Sequence, residues 1–160
     1  MQIAQEMGIL NQGDLVVQTA GTLTGISGST DLIKVGLVRK IVSRGTSIGE
    51  TGVTGKARKI YTYLDLSLIC PGEILFVPEE LMKNIPLSKN IAGIVTNQNV
   101  NDVYALFNKN NRRISTICNL ENIDNHEICN GDLVTLQLNE GVIYMGQIED
   151  DDAIDKYKYV

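Results

Sequence analysis

The chain has 160 residues, which is enough for one well-packed domain with an appended segment. Hydrophobic residues make up 43% of the chain and charged residues 21%, as is ordinary for a soluble globular protein. The formal net charge is −5 and the charges outside an acidic C-terminal stretch are mixed in sign, which excludes a basic nucleic-acid face and a membrane-binding helix. No apolar run approaches the roughly 18 residues of a membrane span, and no signal-peptide pattern opens the chain, so we expect a cytoplasmic protein.

The cysteines and the single histidine offer little metal-binding potential. Cys70, Cys118 and Cys129 form no Cys-x-x-Cys pair, and His126 lies in a polar stretch. Zinc requires about four nitrogen or sulfur ligands at close spacing, which this set cannot supply. We therefore expect no metal site, a core position for Cys118 and an exposed loop position for His126.

The first 42 residues predict a helix followed by two strands. Apolar spacing suits a short helix over 1–10, and a strand follows over 15–20. The glycine-rich stretch 21–30 indicates an extended loop, and a second strand is predicted over 32–42 with Gly36 as a bulge or bend. This piece is too small to form its own core, which favours a cut from something longer. The rest of the chain or a neighbouring copy should cover its apolar residues, namely Leu15, Val17, Ile33 and Val35.

From residue 44 onward the pattern predicts an α/β domain. Four glycines and few apolar residues over 44–56 are typical of a linker or surface loop. Strands and helices then alternate, and two final strands joined by 139–141 form a hairpin. The predicted strands are 57–62, 73–77, 91–96, 113–118, 133–138 and 142–147, and the predicted helices are 79–84 and 100–108.

Two stretches near the beginning carry a specific family pattern. Residues 13–21 are GDLVVQTAG and residues 25–35 are GISGSTDLIKV. They resemble the closing strands of pyruvate kinase, whose pattern runs close to GDLVVxTAG and then GxSGTTNLIKV. Ser29 and Asp31 stand where Thr and Asn are usual. The resemblance implies that residues 1–42 are the end of the regulatory C-terminal domain of a bacterial pyruvate kinase.

The rest of the chain resembles the extra C-terminal domain of many bacterial pyruvate kinases. Its landmarks occur in order at 49–57, 72–75, 92–96, 131–134 and 140–146. That domain is similar to the mobile phosphohistidine domain of phosphoenolpyruvate synthase and pyruvate phosphate dikinase. The resemblance implies a swivelling β/β/α domain over 43–148, of the phosphoenolpyruvate-utiliser type, followed by an acidic tail over 149–160.

The histidine motif of that mobile domain is missing here. In the mobile domain a glycine pair and then Thr-Ser-His-Ala begin a helix whose N–H groups and positive dipole end face the phosphate. Here Asn99 and Val100 match the glycines, Asp102 and Val103 match Thr-Ser, and Tyr104 matches the histidine. A phenol with a pKa near ~10 is a poor phosphocarrier at pH 7, so we expect no catalytic residue in this chain.

The spacing of this segment predicts a packing role for Tyr104. Val100, Val103, Tyr104 and Phe107 follow the i, i+3, i+4, i+7 pattern, which places Tyr104 on or beside a buried stripe. Asn101 is the predicted helix cap, and an acidic residue in the first turn favours the helix dipole.

The loop at 25–34 supplies the remaining binding candidates. Ser27, Gly28, Ser29 and Thr30 could hydrogen-bond an effector phosphate, because the matching pyruvate kinase loop contributes to the sugar-phosphate site. A surface connection between paired strands is the alternative. The glycines of 45–55 lack the order of a phosphate loop, and 149–155 lacks the glycine of a calcium loop.

We therefore expect a non-catalytic structural or regulatory portion of pyruvate kinase, the glycolytic enzyme that converts phosphoenolpyruvate and ADP to pyruvate and ATP. By the resemblance, the catalytic barrel with its Mg²⁺ and K⁺ ligands lies outside this chain. The expected partners are the rest of such a chain or its subunits, including a homo-oligomer, and neither nucleic acid nor membrane. The alternatives are a phosphocarrier domain with an unrecognised nucleophile and a free-standing partner-binding remnant.

Overall fold

The computed structural model describes residues 4, 7–11, 14–20, 32–124 and 127–147. The described residues up to Lys40 form one compact unit, and those from Ile41 onward form a second. Residues 1–3, 5 and 6 of the predicted helix, the loop over 21–30 and the acidic tail lie outside the described residues. Residues 7–10 form a turn and bends, so the helix does not extend to residue 10 as predicted. No helix of the described part is long and apolar enough to cross a membrane.

The first unit contains an antiparallel strand pair. Strand β1 (Leu15–Ala20) pairs with β2 (Leu32–Leu37) in an unbroken register from Leu15 opposite Leu37 to Ala20 opposite Leu32. The single strand predicted over 32–42 is wrong, because β2 ends at Leu37 and residues 38–40 leave the ladder. Gly36 pairs regularly with Val16, so the expected bulge is also wrong.

The expected covering of this pair is not provided by the described chain. Leu15 is 70% exposed, Val17 57% and Val35 38%, whereas nothing is described for the side chain of Ile33. These three residues alternate along their strands, as side chains on one face of a ladder do. Covering by a neighbouring copy remains a prediction.

The second unit is built on one eight-stranded mixed sheet. Its order is β3-β10-β9-β5-β6-β7-β8-β4, in which β5, β6, β7 and β8 run parallel to one another. The strands are β3 (Ile41–Arg44), β4 (Thr46–Ile48), β5 (Val53–Lys59), β6 (Glu73–Val77), β7 (Gly93–Thr96), β8 (Ser115–Cys118), β9 (Leu133–Gln137) and β10 (Val142–Met145). The linker predicted over 44–56 is wrong, since this stretch contains β4 and the first half of β5.

Gly45 connects the two ends of this sheet. It is the only residue between β3 and β4, which are the first and last strands of the sheet order. Its N–H donates to the carbonyl oxygen of Gly141 (2.9 Å), and a Cβ at this position would overlap the carbonyl oxygen of Cys118. Only glycine permits so close an approach, so the sheet wraps around and its edges meet here.

The wrapped sheet separates two hydrophobic cores. Every residue of β6 is buried, and Ile74 and Phe76 pack on one side while Leu75 and Val77 pack on the other. The core on the side of Ile74 and Phe76, here called the inner core, also contains Val134, Leu136 and Leu138 from β9 and the residue after it. The core on the side of Leu75 and Val77 is called the outer core. The outer core is covered by helices, which follow the parallel strands.

These helices are the 3₁₀ helices Asp65–Leu68 and Glu79–Asn84 and the helix α1 (Val100–Asn110). The predicted helices over 79–84 and 100–108 and the hairpin of β9 and β10 are confirmed. The first 3₁₀ helix was not predicted. The architecture confirms the α/β class.

Candidate functional site

The candidate site lies at the carboxyl ends of the parallel strands. Ligands of α/β sheets bind beside this edge, where the connecting loops begin. Here the edge is formed by Pro78 after β6, Asn97 after β7 and Asn119 after β8. The segment from Asn97 to Tyr104, which the sequence resemblance matches to a phosphohistidine motif, begins at this edge.

The turn that enters α1 forms hydrogen bonds with Glu79, Thr96 and Asn119. The Oδ1 of Asn97 accepts a hydrogen bond from the backbone N–H of Glu79 (2.9 Å). The N–H of Gln98 donates to the Oγ1 of Thr96 (3.2 Å), and its carbonyl oxygen accepts from the N–H of Asn119 (3.0 Å). These contacts tie the turn to two neighbouring connections and leave it little freedom.

Asn99, not Asn101, caps the helix. The backbone of Asn99 is extended (φ −70°, ψ 156°), and its Oδ1 accepts from the N–H of Asp102 (3.0 Å). The prediction of Asn101 is wrong because that residue already lies inside the first turn. The Nδ2 of Asn99 also donates to the carboxylate of Asp102. One N-terminal donor is thus occupied, and a negative charge lies beside the helix start.

Tyr104 is not the packing residue that the spacing predicted. It is 45% exposed, whereas Val103 and Phe107 are buried. Successive helical residues are rotated by about 100°, so the narrow stripe formed by Val103 and Phe107 leaves Tyr104 beyond its edge. The phenol therefore stands in water at the position matched to the histidine.

Gln98 contributes a feature that the sequence did not reveal. Its side chain is buried, and its Oε1 has no hydrogen-bond partner among the described residues. It lines a groove of about 420 Å³ together with Lys83, Asp102 and Lys109. A buried amide is normally satisfied, so this orphaned group is suited to contact a water molecule or a polar ligand.

A second polar cluster links the loop before β6 to β5. Arg58 donates from Nε to Glu73 Oε2 (2.6 Å) and from Nη2 to Oε1 (2.7 Å), and the N–H of Cys70 donates to Oε2 (2.8 Å). Burial opposes ionisation of Glu73, but the hydrogen bonds from Arg58 and Cys70 outweigh it and lower the pKa of the carboxyl. The pairing raises the pKa of Arg58. Both charges are satisfied within the fold, so the pair orders the loop.

The other residues considered in the sequence analysis add nothing to this site. Ser27, Gly28, Ser29 and Thr30 lie outside the described residues, and so does His126. Cys118 is fully buried as predicted, and burial raises the pKa of its thiol. Within the described ranges no group of three or more His, Cys, Asp or Glu side chains could hold a metal ion.

Comparison with known proteins relates the chain to pyruvate kinases. It is 36% identical over 148 residues to pyruvate kinase 2 of Synechocystis sp., covering 92% of this chain and 25% of that protein. It is 30% identical over 145 residues to the pyruvate kinase of Staphylococcus haemolyticus, covering 89% of this chain and 24% of that protein. The chain therefore spans about a quarter of the length of these curated relatives.

Other comparisons add little. No protein-family model matches the chain. Among solved structures, the microcin C7 self immunity protein MccF in complex with aspartyl sulfamoyl adenosine is 13% identical, with a TM-score of 0.46 over 92% of this chain and 56% of that one. A likeness at this level carries no argument about function.

Proposed function

We propose that this chain is a non-catalytic structural or regulatory portion of a pyruvate kinase, with a degenerate phosphohistidine-type swivelling domain over 43–148. The relationship to pyruvate kinases supports the parent protein. The observation that carries the non-catalytic part is the start of α1, where Asn99 and Asp102 bond to each other and Tyr104 is exposed.

The helix start lacks what a phosphoryl group requires. A phosphocarrier needs a nucleophile, free backbone donors and an entry path for an anion in one arrangement. The side chain of Asn99 occupies the N–H of Asp102, and the carboxylate of Asp102 would repel a phosphate by about 1 kcal/mol even in water-like surroundings. The phenol of Tyr104 does not replace imidazole in this chemistry.

The parent reaction would be carried out by residues outside this chain. Transfer from phosphoenolpyruvate to ADP in pyruvate kinases uses Mg²⁺ and K⁺, and the described residues contain no acidic cluster that fits a divalent ion. The proposed partners are accordingly the remainder of a pyruvate kinase chain or its subunits, including further copies of this chain. The proposal includes a cytoplasmic location.

The test is phosphoryl labelling of the intact chain. The chain, its Tyr104→Phe variant and its Tyr104→His variant are incubated with radiolabelled phosphoenolpyruvate and a phosphotransferase partner domain. A competent phosphohistidine domain serves as the positive control, and acid-labile label is quantified separately from acid-stable label. We expect no labelling of any of the three proteins, because Tyr104→His introduces a nucleophile without freeing the donors.

Two outcomes would contradict the proposal. Stoichiometric acid-labile label on Tyr104→His would show that a working pocket survives. Acid-stable label on the parent chain that disappears in Tyr104→Phe would make Tyr104 itself a nucleophile. A parallel assay follows pyruvate release from phosphoenolpyruvate and ADP with Mg²⁺ and K⁺, and turnover that copurifies with the chain would overturn the non-catalytic assignment.

A further inference from the structure

A cationic cleft lies at the opposite edge of the parallel strands. It has a volume of about 320 Å³ and is formed by the segment that enters β7 and the segment that enters β8. Three of the described residues that line it are cationic, namely Lys89, Arg112 and Arg113, and none of them is acidic. The chain as a whole carries a net charge of −5, so this concentration of positive charge runs against the average of the surface.

The side chains of Arg112 and Arg113 are available to bind a ligand. Both are exposed, and among the described residues neither side chain has an ion-pair or hydrogen-bond partner. Cations near a helix C-terminus often bind its last carbonyl groups. Here the backbone N–H groups of Asn111 and Arg112 already reach the carbonyl oxygen of Phe107. The N–H of Asn111 also reaches Asn108, so the helix end does not depend on the guanidinium groups.

Lys89 adds charge but has a structural task. Its Nζ donates to the carbonyl oxygen of Ile69 (3.1 Å) and lies 3.5 Å from those of Leu66 and Ser67. These contacts hold the first 3₁₀ segment but provide no counter-ion. The positive charge of the ammonium group therefore still acts on the cleft.

The polar neighbours match the same ligand chemistry. Ser88, Asn90 and Ser115 also line the cleft, and they are the residue types that carry hydroxyl and amide donors. Guanidinium groups bind phosphate oxygens in a bidentate manner, and hydroxyl and amide donors complete such sites. A volume of this size accommodates a small molecule but not a folded partner.

We propose that this cleft binds a small phosphate-bearing anion through Arg112 and Arg113. The site is separate from the start of α1 and does not depend on the proposed loss of phosphotransfer. The same chemistry could serve a free polyphosphate or a phosphate ester, whereas a multivalent carboxylate is the competing anion.

Calorimetric titration of the intact chain with pyrophosphate, inorganic phosphate and citrate tests the proposal. We expect saturable binding of pyrophosphate with a Kd below about 1 mM, and citrate weaker by roughly tenfold. The double variant Arg112→Ala/Arg113→Ala should bind pyrophosphate about tenfold more weakly or not at all. Arg112→Lys/Arg113→Lys retains the charge but loses bidentate geometry, and should lie in between.

The matched control is Lys83→Ala/Lys109→Ala, which removes two exposed cations from the other groove. It should bind pyrophosphate within about twofold of the parent chain, because only non-specific attraction is reduced. An equal loss in both alanine variants, equal binding of citrate, or no saturable binding by the parent chain would overturn the proposal. Thermal melting of each variant verifies folding, and if the arginine-to-alanine pair does not fold, the lysine pair decides.

Discussion

Replacement of Gly45 by alanine should destabilise the second unit. Gly45 joins β3 to β4 where the ends of the sheet meet. An added Cβ would overlap the carbonyl oxygen of Cys118 and would lie 2.7 Å from the Cγ2 of Ile117. Ordinary van der Waals contact begins at 3.4 Å, so the neighbours would have to move.

The size of the loss in unfolding free energy depends on which atoms the added Cβ would overlap. Overpacking a well-packed site costs about 1–3 kcal/mol, and the carbonyl of Cys118 is backbone that cannot rotate aside. Gly→Ala also reduces the conformational entropy of the unfolded chain, which raises the free energy of unfolding by about 0.4–1 kcal/mol where the backbone permits alanine. We expect the free energy of unfolding of Gly45→Ala to fall by about 2 kcal/mol, with loss of pairing between β4 and β8.

Urea unfolding followed by circular dichroism measures this effect through the transition midpoint and the slope m. The matched control is Gly52→Ala, whose added Cβ would lie 3.2 Å from the carbonyl oxygen of Leu136 and 2.9 Å from the Oε1 at the flexible end of Gln137. That side chain can turn away, so the control should change stability by less than about 1 kcal/mol. A Gly45→Ala chain whose free energy of unfolding lies within about 0.5 kcal/mol of the parent chain, or which is no less stable than the control, would contradict the expected overlap at Gly45.

Three further predictions follow from the described contacts. Asn99→Ala removes the side-chain cap of α1 and should lower the free energy of unfolding by about 1 kcal/mol in the same urea assay, whereas an unchanged midpoint would contradict the cap. The fold lowers the pKa of Glu73 from 4.5, so its ion pair contributes stability above that pH and the contribution is lost as the pH falls through the folded-state pKa. The difference in unfolding free energy between the parent chain and Glu73→Gln should therefore be full at pH 7 and shrink below about pH 4.5. Cys118 is buried with a raised pKa, so iodoacetamide should label only the exposed Cys70 and Cys129 in the native chain, and mass spectrometry that finds Cys118 labelled without unfolding would contradict its burial.

Sequence patterns predicted the elements whose local signals are strong, namely an apolar run, a glycine-containing turn and a helical spacing. β6 reads as a run of apolar residues, and its two faces serve two cores. The hairpin of β9 and β10 was predicted from the turn at 139–141, where Gly141 has φ +64°. Helix α1 was predicted, with the i, i+3, i+4, i+7 spacing of Val100, Val103, Tyr104 and Phe107. In each case the local pattern and the tertiary packing favour the same structure.

The glycine-rich stretch at 44–56 misled prediction because glycine has two uses in proteins. Loops use its flexibility, but here Gly45 and Gly55 sit in or beside strands where another backbone approaches closely. A Cβ on Gly55 would lie 2.6 Å from the carbonyl oxygen of Gly72, and one on Gly93 would lie 2.7 Å from Leu136 Cδ1. Composition alone cannot separate these uses, because the approaching chain is distant in sequence.

For the segment at the candidate site, the sequence predicted a helix after a strand but not the details of its start. The segment that the resemblance matches to a histidine motif does follow β7, yet the cap was assigned two residues too late and Tyr104 was assigned a packing role. The orphaned Oε1 of Gln98 and the cationic cleft could not be predicted, since both depend on residues brought together by the parallel crossovers. Arg112 and Arg113 read in sequence as ordinary cations at a helix end, which is the more frequent role of such residues.

The hydrogen bonds at the turn before α1 do not involve position 104. The turn is held by the side chains of Thr96 and Asn97 and by the backbone of Gln98 and Asn119, none of which is the residue matched to histidine. These hydrogen bonds therefore do not depend on position 104, where the side chain of Tyr104 is exposed. The hydrogen bonds that order this edge of the sheet therefore do not require a particular residue at position 104, and a folded chain does not by itself indicate what chemistry the edge can carry out.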